Sequence, residues 1–315
     1  YATYSGSDPR RAPAVLSTIA YVEESFGAWH IKGGLGTLAT LVHERAEKVG
    51  VTFHLNSPVA SINVKKGKAK GITLDSGEII EADAVIANAD ASLIYNVLIK
   101  GKIRKIKKVR KNIAKADASL AGFSLLLGMR KDGSEPLNHH TVLFPKDYDA
   151  EFDAIFTHKQ PVTEPTIYIC APRDEAMSKD ELLEGWFVLV NAPAHGQESF
   201  DWNDAEFARK YANTIIDQIE ARGISVRSRL ESITIRTPAD LESAVRAPGG
   251  SIYGTSSNGA RAAFMRAKNR SPIKGLYCVG GSAHPGGGLP LVGLSAEMVA
   301  NAIGSAQSGQ PLKSH

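Results

Sequence analysis

Residues 275–303 are the part of this chain that most restricts its fold. They read as a short apolar strand, a glycine-rich turn and a helix of mostly small residues. Glycines let the backbone come close to a bulky ligand, and a helix start presents unpaired N–H groups and a partial positive charge to it. Pro290 fits the first turn of such a helix, because its missing N–H is not needed there. The segment predicts either a nucleotide or flavin site or an ordinary tight strand-to-helix connection.

Length and composition indicate a globular protein. The 315 residues can bury one large core or two ordinary ones, and 43% of them are apolar. No apolar run approaches the length of a membrane span, about 18–20 residues. Cys170 and Cys278 both lie in apolar, strand-like runs, which indicates buried thiols in a reducing compartment. Neither cysteine has neighbours at metal-ligand spacing, so the sequence predicts no metal site.

The net charge of +4 is unevenly distributed, because residues 100–115, from Lys100 to Lys115, hold nine basic residues and no acidic one. Ile103, Ile106 and Val109 recur within this run at a helical spacing, which predicts a basic amphipathic helix. Such a helix could dock on an anionic membrane surface or pack on its own domain. We expect no nucleic-acid partner, because the run lacks interleaved aromatic residues and no nucleic-acid-binding motif is present.

The order of the remaining segments predicts an α/β (mixed α+β) fold. A glycine turn at 30–36 leads into an amphipathic helix whose inner face would include Leu38, Leu41 and Val42. A strand at 51–55, a β-meander and a buried strand at 84–87 follow. The block 96–239 reads as an antiparallel sheet with helices, with strands at 119–129, 141–144, 166–170, 186–191 and 224–237. It includes an amphipathic helix at 203–222, one face of which carries Phe207, Tyr211, Ile215, Ile216 and Ile219. These patterns predict a discontinuous ligand-binding domain, 30–95 and 240–309, and a second domain, 1–29 and 96–239.

Several motifs, in the same order along the chain, resemble those of the carotenoid (phytoene) desaturases of the bacterial and fungal type. This family belongs to the larger flavin oxidoreductase group that includes the amine oxidases. The motifs are Lys-Gly-Gly-Leu-Gly at 32–36, Asn-Ser-Pro-Val at 56–59, the strand at 82–90, His-Thr-Val-Leu-Phe-Pro-Lys-Asp-Tyr at 140–148, Gly-Ser-Ile-Tyr-Gly at 250–254, and the glycine-rich signature at 280–295 with His-Pro-Gly at 284–286.

The resemblance implies FAD as cofactor. It also implies a fold that contains the second half of a two-dinucleotide-type flavoprotein domain with its β-meander, together with an inserted substrate domain. The G-x-G-x-x-G turn that seats the FAD pyrophosphate in this family is absent, and the chain starts at Tyr1 rather than at a methionine. We therefore expect a portion of a longer protein with an incomplete FAD site, which would bind flavin weakly or not at all in isolation.

The resemblance also implies roles for the first group of site residues. The backbone of Val59 would face the adenine. Asn88 and Asp90 follow the buried strand, where a ligand crevice would open at the carboxyl ends of the strands. Asp90 could equally cap the helix that follows it, and Val59 could be a residue of the meander core.

A second group of site residues lies in the glycine turn and at the helix start. Gly280 and Gly281, with Ser282 beside them, would approach the FAD phosphates or ribityl chain. Leu291 and Val292 would turn their N–H groups toward the flavin pyrimidine edge, where negative charge develops on reduction.

Carotenoid desaturation removes two hydrogens from adjacent carbons of a hydrophobic polyene, with the flavin as hydride acceptor. His284 is the candidate catalytic base, although it could instead order the turn. His139 and His140 lie either near the substrate or in a surface loop. Oxygenase, saturase or isomerase activity on the same fold, or a non-catalytic lipid-binding fragment, are alternatives. We expect a cytoplasmic, peripheral membrane location, and a homo-oligomer formed through exposed apolar surface.

Overall fold

The structure is a computed structural model that describes residues 6–116, 119–133, 136–178, 180–196, 198–256 and 266–304. The chain forms two compact units, Tyr1–Asn56 with Ala118–Ile252 and Ser57–Asp117 with Tyr253–His315. These boundaries differ from the predicted domains. Residues 30–56 belong to the first unit, where the Gly33 N–H donates to Asp174 Oδ2 at 2.6 Å. Residues 96–117 belong to the second unit, where Ile106 is fully buried in the core.

The described strands and helices are interspersed along the chain. The strands are β1 (Val59–Lys65), β2 (Lys68–Leu74), β3 (Ile79–Glu81), β4 (Val85–Ala87), β5 (Ala121–Arg130), β6 (His140–Leu143), β7 (Ile167–Cys170), β8 (Leu183–Ala192), β9 (Leu230–Arg236) and β10 (Leu276–Cys278). The α-helices are α1 (Ser17–Phe26), α2 (Leu35–Lys48), α3 (Lys107–Ile113), α4 (Tyr148–Phe152), α5 (Ala205–Glu220), α6 (Pro238–Val245) and α7 (Leu289–Ile303).

The first unit is organised around a five-stranded sheet in the order β6-β7-β8-β5-β9, with every neighbouring pair antiparallel. Strand β5, between β8 and β9, alternates, and its buried face carries Phe123, Leu125, Leu127 and Met129. Leu125 lies opposite Val188 of β8. The strands predicted at 119–129, 141–144, 166–170 and 186–191 are confirmed, because period-two apolar patterning identifies a half-buried strand.

Helix α5 covers the buried side of this sheet. Asp204 caps its N-terminus by accepting hydrogen bonds from the N–H groups of Glu206 and Phe207. Tyr211, Ile215, Ile216 and Ile219, from the predicted face, are buried in the same core as β5. The predicted helix at 203–222 is confirmed.

Glu151 is a fully buried acidic residue of the first unit. Its carboxylate accepts hydrogen bonds from Thr166 N (2.8 Å), Thr166 Oγ1 (2.6 Å) and Asn191 Nδ2 (2.7 Å). Burial raises the pKa of this carboxyl above its ordinary value, against the opposing effect of these three bonds. The network ties the segment before β7 to β8.

Two predictions for the first 56 residues are wrong. Helix α2 forms, but no residue of it is buried, and the side chains of Leu41 and Val42 are more than half exposed. Residues 51–55 form no strand. A strand requires a neighbour for its backbone hydrogen bonds, and no described strand pairs with this segment.

The second unit contains the predicted β-meander, with β1-β2-β3 antiparallel. It also contains a parallel pair, in which Leu276, Tyr277 and Cys278 of β10 lie opposite Val85, Ile86 and Ala87 of β4. A π-helical segment, Leu93–Leu98, follows β4. Its buried side chains share a core with Leu276 and Cys278.

The basic segment 100–115 is shorter as a helix than predicted, with a 3₁₀ turn Arg104–Ile106 before α3. Ile106 is fully buried, and Ile103 and Val109 pack against the core of the second unit. Arg110 donates to the carbonyls of Tyr95, Ile99 and Gly101 at 2.7–2.9 Å. The segment therefore packs on its own unit. Its eight other basic side chains are exposed.

Among the described residues, no helix is both long and apolar enough to cross a lipid bilayer.

Candidate functional site

Two of the predicted site residues lie where the parallel strands β4 and β10 end. Val279 N–H donates to Ala87 O at 3.1 Å, which extends the pairing by one residue. Asn88 and Gly280 come next and stand side by side. A Cβ at Gly280 would collide with Asn88 Oδ1, and the φ of Gly280 is +94°. The structure thus brings together two predicted site residues at the carboxyl ends of parallel strands, where open α/β sheets bind ligands.

Asp90 and Ser282 connect the turn to the start of the helical segment 91–98. Asp90 Oδ1 accepts from Ser92 N and Ser92 Oγ, both at 2.7 Å, so Asp90 does cap this segment. Ser282 Oγ accepts from Ala91 N at 2.7 Å. Asp90 Oδ2 would lie 3.1 Å from a Cβ at Gly254. Both residues therefore fix the backbone at the start of segment 91–98 through local hydrogen bonds.

Arg266 holds the glycine turn, although sequence reasoning did not identify it. Its guanidinium is buried, and Nη1 donates to Tyr253 O at 2.7 Å and to Gly281 O at 3.0 Å. Burial lowers the pKa of this arginine from its usual value. A buried cation beside a turn of positive-φ glycines, Gly286 and Gly288 among them, adds positive potential to the turn.

Asn269 is a second residue that sequence reasoning missed. Its side-chain Nδ2 lies within hydrogen-bond distance of three acceptors: Cys278 O (3.1 Å), His284 O (2.8 Å) and the buried Ser295 Oγ (3.0 Å). These belong to β10, the turn and α7. A single amide therefore links the strand, the turn and the helix.

His284, the candidate base, is half-buried in this turn. Its N–H donates to Ala267 O at 2.9 Å, and its carbonyl accepts from Asn269. The imidazole makes no hydrogen bond to the part of the chain that the structure describes. The backbone of His284 thus orders the turn, and its side chain is not used for that purpose.

Helix α7 begins at Leu289, with Gly288 as N-cap and Pro290 within the first turn, as expected. Val292 N–H donates to Gly288 O at 2.9 Å and forms the first internal bond of the helix. The prediction that Val292 turns its N–H toward the flavin edge is therefore wrong, because Val292 lies one residue beyond the unpaired helix end and its N–H is bonded within the helix. Leu291 keeps an N–H without an acceptor among the described residues.

Val59 begins β1 and lies opposite Leu74. It is half-buried and packs against the same core as Cys278. Its position is that of a meander residue, and its adenine-facing role stays a prediction.

The Lys-Gly-Gly turn at 32–34 lies in the first unit, whereas the predicted flavin-site residues all lie in the second unit. Gly33 and Gly34 both have positive φ, and Gly33 is anchored to Asp174. His139 and His140 also lie in this unit, at the start of β6.

The chain matches the family described as flavin containing amine oxidoreductase over residues 4–184. It is 34% identical to the 1-hydroxycarotenoid 3,4-desaturase of Flavobacterium sp. (strain P99-3), over 96% of this chain and 60% of that protein. It is 29% identical to the 4,4'-diaponeurosporene oxygenase of Staphylococcus aureus (strain USA300), over 97% of this chain and 61% of that protein. The chain thus spans about 60% of the length of these relatives.

A solved structure of an oxidoreductase from Methanosarcina mazei has a similar fold, with a TM-score of 0.58 and 18% sequence identity. The similarity covers 85% of this chain and 54% of that one. At this identity the comparison supports the fold alone, and it agrees with the predicted α/β (mixed α+β) architecture.

Proposed function

The chain belongs to the family of flavin-containing amine oxidoreductases, and from that premise we propose that it forms part of a FAD-dependent desaturase that acts on carotenoid-type polyenes. The observation that carries this proposal is the 34% identity to a carotenoid desaturase along 96% of the chain. The reaction would remove two hydrogens from adjacent carbons of an apolar polyene.

The residues at the ends of β4 and β10 fit a flavin. Because Gly280 has no Cβ, its backbone can lie directly against the Asn88 side chain, where a Cβ would collide with Oδ1. Buried Arg266 and the start of α7 supply positive potential on the same turn. FAD, which this family requires, would supply the acceptor for the hydride that leaves the polyene.

The chain's own residues bind and orient in this proposal. The unpaired N–H of Leu291, at the positive end of α7, would stabilise negative charge that develops nearby. Arg266 fixes the Gly281 carbonyl, and Asn269 fixes the His284 carbonyl, so the turn keeps one shape. This preorganisation matters because a hydrocarbon substrate offers no polar group for the protein to hold.

His284 is the residue through which a proton would move, if the reaction uses a base. Its backbone is fixed while its imidazole makes no hydrogen bond to the described residues, which is suited to receiving a proton at a ring nitrogen.

The exposed basic side chains of residues 100–115 support docking on an anionic membrane surface, where polyenes dissolve. The apolar side of the segment packs inward through Ile106, so contact with lipid would be electrostatic and would weaken with salt.

Carotenoid oxygenation is the second candidate activity. It rests on the match to 4,4'-diaponeurosporene oxygenase over 97% of this chain. The two reactions share a polyene substrate and differ in whether oxygen is added.

The test uses protein expressed from its complete reading frame, supplied with FAD and with phytoene or a 1-hydroxycarotenoid in anionic vesicles. Desaturation would lengthen the conjugated system, shift the absorbance to the red and lower the product mass by two hydrogens. A product that gains oxygen would establish the oxygenase instead. An unchanged polyene, with FAD bound to the protein, would refute both activities.

A further inference from the structure

Two neighbouring histidines and a cysteine about 30 residues away in the chain meet at the β6 edge of the five-stranded sheet. His139, His140 and Cys170 each offer a metal-ligating atom, and these atoms all lie within 4.8 Å of one another. The sequence predicts no metal site because metal-ligand spacing patterns describe only residues that are close together in the chain. Here the ligands are joined by strand pairing instead.

The sheet explains this proximity. His140 lies directly opposite Cys170 in the antiparallel pair of β6 and β7. Such cross-strand partners have Cβ atoms about 4.5–5.5 Å apart on one face. His139 lies just before β6, so the pleat does not force its side chain to the other face. The two imidazole rings are consequently only 4.4 Å apart, centroid to centroid.

A fourth donor stands beside this cluster. The ring of His30 packs edge-on against His139, with centroids 5.0 Å apart. His30 Nε2 pairs with Asp174 Oδ2 at 2.8 Å, which leaves Nδ1 for another partner. Asp174 is itself held by the N–H groups of Gly33 (2.6 Å) and Ala176 (2.9 Å). A carboxylate that fixes one nitrogen of a histidine is the usual second partner of a metal-bound imidazole.

His140 has a similar partner. Its Nδ1 lies 2.7 Å from Tyr168 Oη, which leaves Nε2 as the available donor. The phenol belongs to β7, the strand that also carries Cys170. Two of the three histidines therefore have one nitrogen engaged and the other available.

We propose that His30, His139, His140 and Cys170 bind one zinc-like divalent transition metal ion. One thiolate with imidazoles suits Zn²⁺ or Co²⁺, which take four such donors in a tetrahedron. Metal–ligand bonds of about 2.0–2.3 Å place neighbouring donors roughly 3.3–3.8 Å apart, so the three donors of His139, His140 and Cys170, now within 4.8 Å of one another, must contract by about 1 Å, and the His30 ring must move in toward them. Side-chain rotations can provide this contraction, because His30 and His140 are exposed.

The site is structural and independent of the proposed desaturase activity. Four protein ligands leave no open position for substrate. The ion would join the turn before α2 to the start of β6 and the end of β7, all within the first unit. Helix α2 buries none of its side chains, so a metal link would supply an attachment that its packing does not.

The test is Co²⁺ binding to the purified protein after chelator treatment. We expect one Co²⁺ per chain, intense visible bands of tetrahedral Co²⁺, and a near-ultraviolet band from thiolate-to-cobalt charge transfer. Zn²⁺ should displace the cobalt and raise Tm by mass action. An octahedral spectrum without the thiolate band would overturn the proposal, whatever the variants show.

The variants assign the ligands. Cys170→Ser should abolish the charge-transfer band, whereas Cys278→Ala, which changes the other cysteine, should keep it. His139→Ala and His140→Ala should each weaken Zn²⁺ binding at least about tenfold, and Asp174→Asn about 10–100-fold. His158→Ala, an exposed histidine of the same unit, should leave the affinity unchanged.

Two results would contradict the assignment. One is equal Zn²⁺ affinity for the unchanged protein and for Cys170→Ser, which would mean adventitious binding only. The other is a charge-transfer band that disappears with Cys278→Ala and persists with Cys170→Ser. Far-UV circular dichroism of each metal-free variant verifies that the comparison is between folded proteins.

Discussion

The five-stranded sheet and the glycine turn at 280–288 reach a fixed shape in opposite ways. In the sheet, large apolar side chains such as Phe123 and Met129 fill the space and are fully buried. In the turn, glycines leave little side-chain volume. The side chains of Arg266 and Asn269, which lie outside the turn, hold its backbone carbonyls instead. A packed core should therefore suffer most when atoms are removed, and the turn when a single carbon is added.

The largest effect that this comparison predicts is in the sheet. Phe123→Ala should lower the free energy of unfolding by about 3–5 kcal/mol, because it removes a fully buried ring that contacts Tyr211 and Trp202. Denaturant unfolding followed by tryptophan fluorescence measures it. Phe144→Ala, at a ring that is 59% exposed, is the matched control and should change stability by less than about 0.5 kcal/mol. Similar losses for both variants would contradict the packed-core description.

The next prediction reverses the change, because it adds one carbon to the turn. Gly280→Ala should cost about 1–3 kcal/mol and displace Asn88, since a Cβ there meets both a positive φ and the Asn88 amide. Protein from the complete reading frame should also bind FAD more weakly, measured by quenching of flavin fluorescence.

Gly288→Ala separates the two causes. Gly288 also has a positive φ, +97°, but a Cβ there would meet nothing within 4 Å. This variant should show the backbone strain and no displacement of Asn88. If Gly280→Ala affects FAD binding no more than Gly288→Ala does, crowding against Asn88 is not what matters.

The third prediction concerns the amide that links strand, turn and helix. Asn269→Ala should lower the free energy of unfolding by about 1–3 kcal/mol, because three acceptors lose their donor. Asn269→Asp should cost more, since it places a carboxylate oxygen against those same acceptors. Equal costs, measured by thermal unfolding near neutral pH, would show that the amide donates no important bond.

The smallest effect is a pH dependence within the sheet unit. The pKa of Glu151 is raised in the folded state, so the folded protein holds this proton more tightly than the unfolded chain does. Its contribution to stability is complete below the unfolded pKa and is lost as pH rises through the folded pKa. In Glu151→Gln, the free energy of unfolding should decrease less steeply as the pH rises above 4.5, the ordinary pKa of a glutamate carboxyl. Glu181→Gln, at an exposed residue, should not change this slope. A steeper fall in Glu151→Gln would reverse the assigned direction.

The same contrast explains how much the sequence could predict. Strands β5 to β8 and helix α5 follow from apolar periodicity and capping, because side-chain burial decides both. The strand predicted at 51–55 is wrong, because pairing depends on a neighbour that periodicity does not identify. The strand predicted at 224–237 is only partly correct, since Arg227–Arg229 is a 3₁₀ turn before β9.

For the candidate site, the sequence indicates that Asn88 and Gly280 each follow a strand, and the pairing of β4 with β10, which the sequence does not predict, brings them together. It missed Arg266 and Asn269, because no local pattern marks a polar side chain that bridges distant carbonyls. It also missed the pairing of His140 with Cys170, which depends on the register of β6 and β7. The role predicted for the Val292 N–H at the flavin edge is wrong because a helix start cannot be fixed to one residue from sequence.

The side-chain amide of Asn269 has two hydrogens but three oxygen atoms within reach. The three contacts must therefore compete, with at least one hydrogen shared at any moment. A small outward movement of α7 that withdraws Ser295 would leave the amide to the Cys278 and His284 carbonyls alone and shorten those two bonds. A movement of α7 would in this way reach the backbone of the turn as a change in hydrogen-bond length, without any rearrangement of side chains.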